Sequence, residues 1–356
     1  MDEKIERLFK WSRGEKALPY RLDIMMYDGC NQSCKFCFRH FEKAGGEGRI
    51  KESEYSRVID ESVKLKIKEI CINGYGEPFF CKQKTLNMME KIKDYNILGE
   101  IFTNGTLLNE SDIKRIVEIE WDTMLFSIHG PDAATHDYLV SLPGAFDRAI
   151  NNIKFINKWK KKLKKDKPYI EMTCVLTNKN YDKIKKLFLL SKKLNVKLSI
   201  NSLNMFNEKL NNLLINKSQL IELKKDIKEI EKYVYVDYAI NNSFSSKKPL
   251  SGIKLIKKMI DNEKSKINFL NSLCLAPWYK MVLNDFGNIV PCYSAKDEGE
   301  NINNKTLKEI WFGEYFEKLR NDILNKNPRK YCNICPDINL TKDILNNMKS
   351  INDLKL

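Results

Sequence analysis

The sequence predicts an α/β chain: an open, partial (β/α)6 barrel followed by a small cysteine-bearing module. Three observations carry this. Between residues 21 and 203, short apolar runs alternate with amphipathic stretches, the pattern of a parallel sheet with helices outside it. The six strand–helix pairs fall short of the eight that close a barrel. Beyond residue 204 the periodicity changes, and a second group of cysteines begins near Cys274.

Residues 1–20 read as a charged N-terminal extension without the apolar core of a signal peptide. The barrel, residues 21–203, opens with a strand at Arg21–Tyr27 that runs into CNQSCKFC. A helix at Glu52–Leu65 and a strand at Glu69–Asn73 lead to Gly74-Tyr75-Gly76-Glu77-Pro78. Further strands are expected at Glu100–Thr103, Thr123–Ile128, Tyr169–Leu176 and Lys197–Asn201. Between them, Ser111 has the chemistry of an N-cap for a helix burying Ile113, Ile116, Val117 and Ile119. Phe146–Lys158 and Tyr181–Leu194 supply two more helices. Residues 204–269 form a helical linker region, whose strongest segment, Ser218–Tyr233, repeats Leu220, Ile221, Leu223, Ile227 and Ile230 at helical spacing. The final module, residues 270–356, contains a hairpin of Lys280–Leu283 and Asn288–Val290 turning through Asn284–Gly287.

Composition narrows the function classes. The 356 residues contain no apolar run approaching the ~18 needed to cross a bilayer, so a cytoplasmic chain with reduced thiols is expected. Ten reduced cysteines in groups suggest metal. The net charge of +15 resides mainly in lysines spread over helix faces, as in Lys158–Lys165. No zinc-finger, RNP-type or helix-turn-helix signature accompanies it, so the charge reads first as a solvated, lysine-rich surface, with an acidic protein partner such as a redox donor as the next reading.

The spacing Cys30-x3-Cys34-x2-Cys37 places three thiols on one loop with no fourth nearby. A four-iron cluster needs four ligands, so three leave one iron open, as a catalytic metal site requires. This loop, after the first strand of a βα series, resembles that of the radical S-adenosylmethionine (SAM) enzymes, whose fold is a partial TIM-like barrel. The resemblance implies a [4Fe–4S] cluster on Cys30, Cys34 and Cys37 whose open iron binds SAM. One electron then cleaves SAM to methionine and a 5′-deoxyadenosyl radical, which abstracts a substrate hydrogen. By the same resemblance Phe36 lies beside the adenine, and Gly76 and Glu77 match the end of a Gly-Gly-Glu-Pro segment that receives the methionine amino group. Thr103 and Asn104 fall where ribose contacts occur, and Ser127 where a Ser-x-Asp-Gly segment helps hold the cofactor. His129 replaces the acidic residue of that segment. Its ordinary pKa near working pH makes it a candidate proton acceptor, with His136 and His40 as further histidines of the same chemistry.

The later cysteines, Cys274, Cys292, Cys332 and Cys335, make a C-x17-C…C-x2-C set that by itself suits zinc or iron. Together with Lys305–Trp311 and Arg320 they resemble the SPASM or twitch module of radical enzymes. This implies a second, auxiliary [4Fe–4S] cluster saturated by thiolates and suited to electron transfer. Cys71 and Cys174, among apolar neighbours, read as small buried hydrophobes. The combined expectation is a radical SAM oxidoreductase that acts on a small polar, sugar- or cyclitol-like substrate and passes an electron to the auxiliary cluster. An acidic redox donor such as a flavodoxin or ferredoxin would supply the first electron. The alternative is a peptide or protein maturase forming a thioether, a crosslink or an oxidised residue. A non-catalytic metal or electron-transfer protein is a third class.

Overall fold

The computed structural model describes residues 3–26, 29–37, 50–74, 76–203, 207–240, 274–295, 299–327, 329 and 332, with side chains through residue 230 in the helix that ends at Ile240. Tyr75, His40 and Cys335 lie outside the described residues. The chain divides into two compact units. The first comprises Met1–Gly29, Gly45–Ile101 and Ser265–Leu356, and the second Cys30–Ala44 and Phe102–Lys264.

In the first unit, β1 (Arg21–Met25) pairs in parallel with β2 (Glu69–Asn73), and β2 with the first residues of β3 (Leu98–Thr103). On the other edge of β1 lies β7 (Lys280–Leu283), also parallel, with Arg21 opposite Lys280. β7 turns back into β8 (Asn288–Val290), which pairs antiparallel with β9 (Glu300–Asn301). The sequence-expected hairpin is therefore present, and its first strand extends the parallel sheet at β1. Residues 1–20 are more structured than a simple extension, because α1 (Glu3–Ser12) buries Leu8 and Arg7. α2 (Glu52–Lys64) and α3 (Lys82–Asp94) are the crossovers that parallel pairing demands.

Alternation along β1 sends Leu22 and Ile24 to one face and Arg21 and Asp23 to the other. The pairing register aligns Asp23 with Cys71 and Cys71 with Glu100. The result is a buried polar layer. Asp23 accepts from Arg21 Nε at 2.5 Å and from the Tyr293 hydroxyl at 2.7 Å, and Lys280 Nζ lies 3.7 Å away. Arg21 also reaches Glu100 at 2.7 Å. Burial alone would push the Asp23 carboxyl up, but Arg21 and Lys280 outweigh it and hold it below the usual carboxylate range. Burial raises the Tyr293 phenol and the Cys71 thiol well above their ordinary values. Cys71 is thus a neutral, fully buried group, as its apolar neighbours suggested.

In the second unit, β4 (Thr123–Ser127), β5 (Tyr169–Val175) and β6 (Lys197–Asn201) form consecutive parallel pairs, with Ser127 opposite Thr173. α4 (Glu110–Glu118) is capped two residues before the expected position. Asn109 is the N-cap, its Oδ1 accepting from Asp112 N–H at 3.0 Å, while Ser111 donates its hydroxyl to that same oxygen. The asparagine wins because only it stands three residues ahead of the reciprocal acid, Asp112. α5 (Ala133–Val140) and α6 (Ala145–Leu163) follow. α6 buries Ala149, Ile150, Ile153 and Ile156 along one stripe and leaves its lysine-rich end to solvent. α7 (Ile184–Lys193) packs against α8 (Lys217–Ile240), whose Leu223, Ile227 and Ile230 are buried, whereas Leu220 is only partly buried and Ile221 is 55% exposed, off the packed stripe. Among the described residues no helix is long and apolar enough to cross a membrane.

Among the described residues, the first unit also contains the helices α9 (Ala276–Tyr279), α10 (Leu307–Trp311) and α11 (Glu314–Leu324). The architecture is an open α/β sheet of the partial-barrel class.

Candidate cluster and cofactor site

The loop carrying the first three cysteines leaves the end of β1. Met26 N–H donates to Asn73 O at 2.7 Å, prolonging the pairing one residue past the strand. Gly29 then adopts φ +118°, where a Cβ would lie 2.7 Å from the Phe80 ring. Only glycine meets both demands. Glu77 N–H donates to Gly29 O at 2.8 Å, and a Cβ on Gly76 would come within 2.1 Å of that same oxygen. The Gly76-Glu77 backbone is thereby fastened to the residue before Cys30. The Glu77 side chain is buried and caps the 3-10 turn Pro78–Cys81, accepting from Phe79 N–H at 3.2 Å.

In the second unit the cysteine loop is held at several points. Ser33 N–H and Lys35 N–H donate to Val140 O and Leu139 O at 3.1 and 2.9 Å, fastening the loop to the end of α5. Asn31 Nδ2 donates to Thr106 Oγ1 at 2.8 Å, and Asn104 Nδ2 to Asn31 Oδ1 at 2.9 Å. Asn104 Oδ1 in turn accepts from the Thr106 hydroxyl at 2.7 Å, while Thr103 Oγ1 accepts from Gly105 N–H at 2.9 Å. Thr103 and Asn104, expected from sequence to touch a ribose, are buried and shape the β3 exit against the cysteine loop. Cys30, Cys34 and Cys37 are each partly exposed. Cys37 N–H donates to Cys34 O at 3.0 Å, closing a tight turn between those two thiols.

Phe36 meets His129 edge-on, with ring centroids 4.7 Å apart. His129 Nδ1 accepts from Val175 N–H at 3.2 Å, and its own N–H donates to His136 Nδ1 at 3.0 Å. The two imidazoles stack at 5.8 Å. Asn180 holds the segment by donating to His129 O at 2.8 Å. Burial, reinforced by His136, pushes His129 well below its ordinary pKa, and burial brings His136 down to about 4. Both rings are therefore neutral, with Nδ1 as acceptor and the proton on Nε2. Sequence reasoning missed Asn31, Gln32, Thr106 and Asn180. The first two were legible only as residues lying between cysteines.

The later cysteines sit in the first unit. Cys274 and Cys332 pack against one apolar cluster of Leu8, Tyr20, Leu275, Trp278, Tyr279 and Ile323. Cys292 is buried in another, with Met25, Val282 and Val290. Arg320 is sandwiched between Trp11 and Trp311 at 4.5 and 4.6 Å and donates to Pro277 O at 3.0 Å. It thus fixes the turn after Cys274. Among the described residues no three His, Cys, Asp or Glu side chains converge as a single-ion site would need. A four-iron cluster sets a different requirement, one thiolate per iron.

Residues 24–208, more than half of the chain, match the profile of the radical SAM superfamily. The chain belongs to the radical SAM superfamily. Residues 274–336 match a second profile, SPASM, an iron-sulfur cluster-binding domain. This radical SAM chain is 24% identical over 313 residues to a "tungsten-containing aldehyde ferredoxin oxidoreductase cofactor-modifying protein" of Pyrococcus furiosus, covering 82% of this chain and 80% of that one. It is 20% identical to a PqqA peptide cyclase of Granulibacter bethesdensis, covering 85% and 76%. The match to the AdoMet-dependent heme synthase of Methanosarcina barkeri, 28% identical, spans 47% of this chain and only 45% of that protein. Among solved structures, Streptococcus suis SuiB with bound SAM has a TM-score of 0.64 at 19% identity, covering 96% of this chain and 78% of SuiB. The anSMEcpe structure with AdoMet and a Cp18Cys peptide has a TM-score of 0.63 at 20% identity, covering 91% and 88%. These likenesses show the fold, a partial TIM-like barrel.

The two family assignments bring a [4Fe–4S] cluster, SAM and auxiliary iron–sulfur clusters as cofactors. The donor chemistry fits. Three soft thiols share one short loop, and thiolates select iron–sulfur chemistry. The backbone beside Gly76 approaches so closely that no side chain could enter.

Proposed function

We propose that the chain is a radical SAM enzyme that modifies a side chain of a peptide or protein. The observation that carries this is the presence of both modules in one chain, spanned together by its relationship to a PqqA peptide cyclase over 313 residues. The neighbours SuiB, solved with the precursor peptide SuiA, and anSMEcpe, solved with a Cp18Cys peptide, support the same substrate class. This reading displaces the small cyclitol-like substrate from first place.

In this proposal Cys30, Cys34 and Cys37 hold the SAM-binding cluster, and Cys274, Cys292, Cys332 and Cys335 hold an auxiliary one. Bound together, the first cluster and SAM supply a carbon-centred hydrogen abstractor after one-electron reduction. With SAM bound, Phe36 would lie beside the adenine and the Gly76-Glu77 backbone would receive the methionine amino group. Thr103, Asn104 and Ser127 would be the further residues toward the cofactor. His129 serves as a neutral hydrogen-bonding residue, because Val175 N–H already occupies its Nδ1 lone pair. The barrel would comprise residues 21–203 and the auxiliary module residues 270–356, with 204–269 between them. An acidic flavodoxin or ferredoxin would deliver the electron to this basic chain.

Anaerobic reconstitution followed by SAM and a strong reductant should yield 5′-deoxyadenosine. Its formation should rise with a peptide substrate, and that peptide should change mass. Stimulation by cyclitols but by no peptide would overturn the substrate class, and absence of 5′-deoxyadenosine would overturn the whole reading.

A further inference from the structure

Between Cys30 and Cys34 lies a polar side chain whose amide nitrogen has no partner among the described residues. Gln32 is only 7% exposed. Its backbone N–H donates to Cys30 Sγ at 3.4 Å, and its Oε1 accepts from the Cys34 thiol at 3.5 Å. Its amide nitrogen, Nε2, is buried and donates to no acceptor among the described residues. Buried amide groups are nearly always paired. Neighbouring Asn31 follows that rule, with its amide nitrogen on Thr106 and its oxygen on Asn104. Among the described buried side chains of this loop, Gln32 keeps an uncommitted pair of N–H bonds.

We propose that Gln32 is the residue that sets the reduction potential of the cluster on Cys30, Cys34 and Cys37, by donating N–H···S hydrogen bonds from its carboxamide to the Cys34 sulfur. The inference rests on the ligand assignment made above. The Cys34 thiol gives its proton to Oε1, but an iron-bound Cys34 is a thiolate with no proton to give. An oxygen facing that sulfur would then be repelled. A half-turn of the carboxamide exchanges oxygen and nitrogen at almost no steric cost. The repulsive contact becomes a donor–acceptor pair, and no hydrogen bond from Nε2 is lost. The backbone N–H of Gln32 already points at Cys30, so a single residue would serve two of the three sulfurs. Such donors stabilise the extra negative charge of the reduced cluster more than the oxidised one, and so raise its potential.

The test is a redox titration of the reconstituted full chain, followed by electron paramagnetic resonance without SAM. Gln32→Met keeps the length and removes the donor. Its SAM-binding cluster should titrate at a more negative potential, with iron and sulfide content and the auxiliary signal unchanged. Gln32→Glu should move it further in the same direction. An unchanged potential in Gln32→Met overturns the proposal, as does a change confined to SAM affinity. Should the variants fail to assemble, wild-type protein labelled at the glutamine side-chain nitrogen decides. A nitrogen coupling at the reduced cluster supports the proposal, and its absence in cluster-containing protein overturns it. Wild-type protein that assembles no iron at Cys30, Cys34 and Cys37 would instead remove the ligand assignment, a result that iron analysis distinguishes.

Discussion

At the scale of single residues, chemistry follows from which lone pairs and protons are already committed. Cys34 is one of the three thiols that the proposed SAM-binding cluster requires. Cys34→Ala should lose iron equivalent to roughly one cluster and abolish 5′-deoxyadenosine formation, while the auxiliary signal remains. Retained SAM cleavage would refute its role. His136 makes a pH prediction. Unfolded, its imidazole takes up a proton near 6.5, whereas burial delays this to about 4 in the fold. A depressed histidine pKa means that the unfolded chain binds more protons between these values, so stability rises with pH there. It is complete above 6.5 and is lost as pH falls toward 4, by roughly 3 kcal/mol at most. The urea midpoint of the wild type should drop across this window, and His136→Gln should flatten the drop. Equal slopes in the two proteins would show that His136 is not the titrating group.

At the scale of elements, two turns decide the site. The glycine at Gly76 was visible in sequence as part of a motif, but its reason is steric: Gly29 O would stand 2.1 Å from any Cβ. Gly76→Ala must push the two segments apart. It should cost about 1–3 kcal/mol of stability and weaken SAM binding more than it lowers iron content. Unaltered SAM affinity would separate this contact from cofactor binding. The turn after β3 carries the second lesson. Thr103 and Asn104 stood out as polar residues at a strand end, yet their side chains are hydrogen-bonded to Gly105, Thr106 and Asn31. Sequence position located them, and only the fold disclosed that they brace the loop bearing the cysteines.

At the scale of the whole molecule, charge acts in two ways. In the first unit Asp23 and Lys280 are buried, with the partly buried Arg21 and Tyr293 beside them, so removing one partner strands another. Lys280→Met should destabilise by roughly 3–5 kcal/mol, and Lys280→Met with Asp23→Asn together should recover part of that loss. Additive losses would show that the two groups do not interact. On the surface, the net +15 charge should speed encounter with an acidic electron donor. Turnover driven by a flavodoxin should fall as salt rises through the range where the Debye length shrinks below ~10 Å. Turnover driven by a small reductant should change far less. Equal salt sensitivity would argue against an acidic donor.

Much of this protein was legible in its residues because the relevant signals are local. Strand–helix alternation specified the parallel α/β class, and β2 and β6 begin and end where their apolar runs do. Cysteine spacing within one loop pointed to an open cluster, since ligand spacing is a property of the chain itself. Contacts between segments distant in sequence were not legible. Nothing in RLDIM announces that Asp23 will meet Tyr293, some 270 positions later. Nothing in CNQSC shows that Asn31 will be satisfied and Gln32 left over. Histidine chemistry also waited for the fold, because its protonation depends on burial and on which backbone N–H reaches the ring. Residue type and spacing declare what chemistry is available. Packing decides which donors, acceptors and charges remain free to perform it.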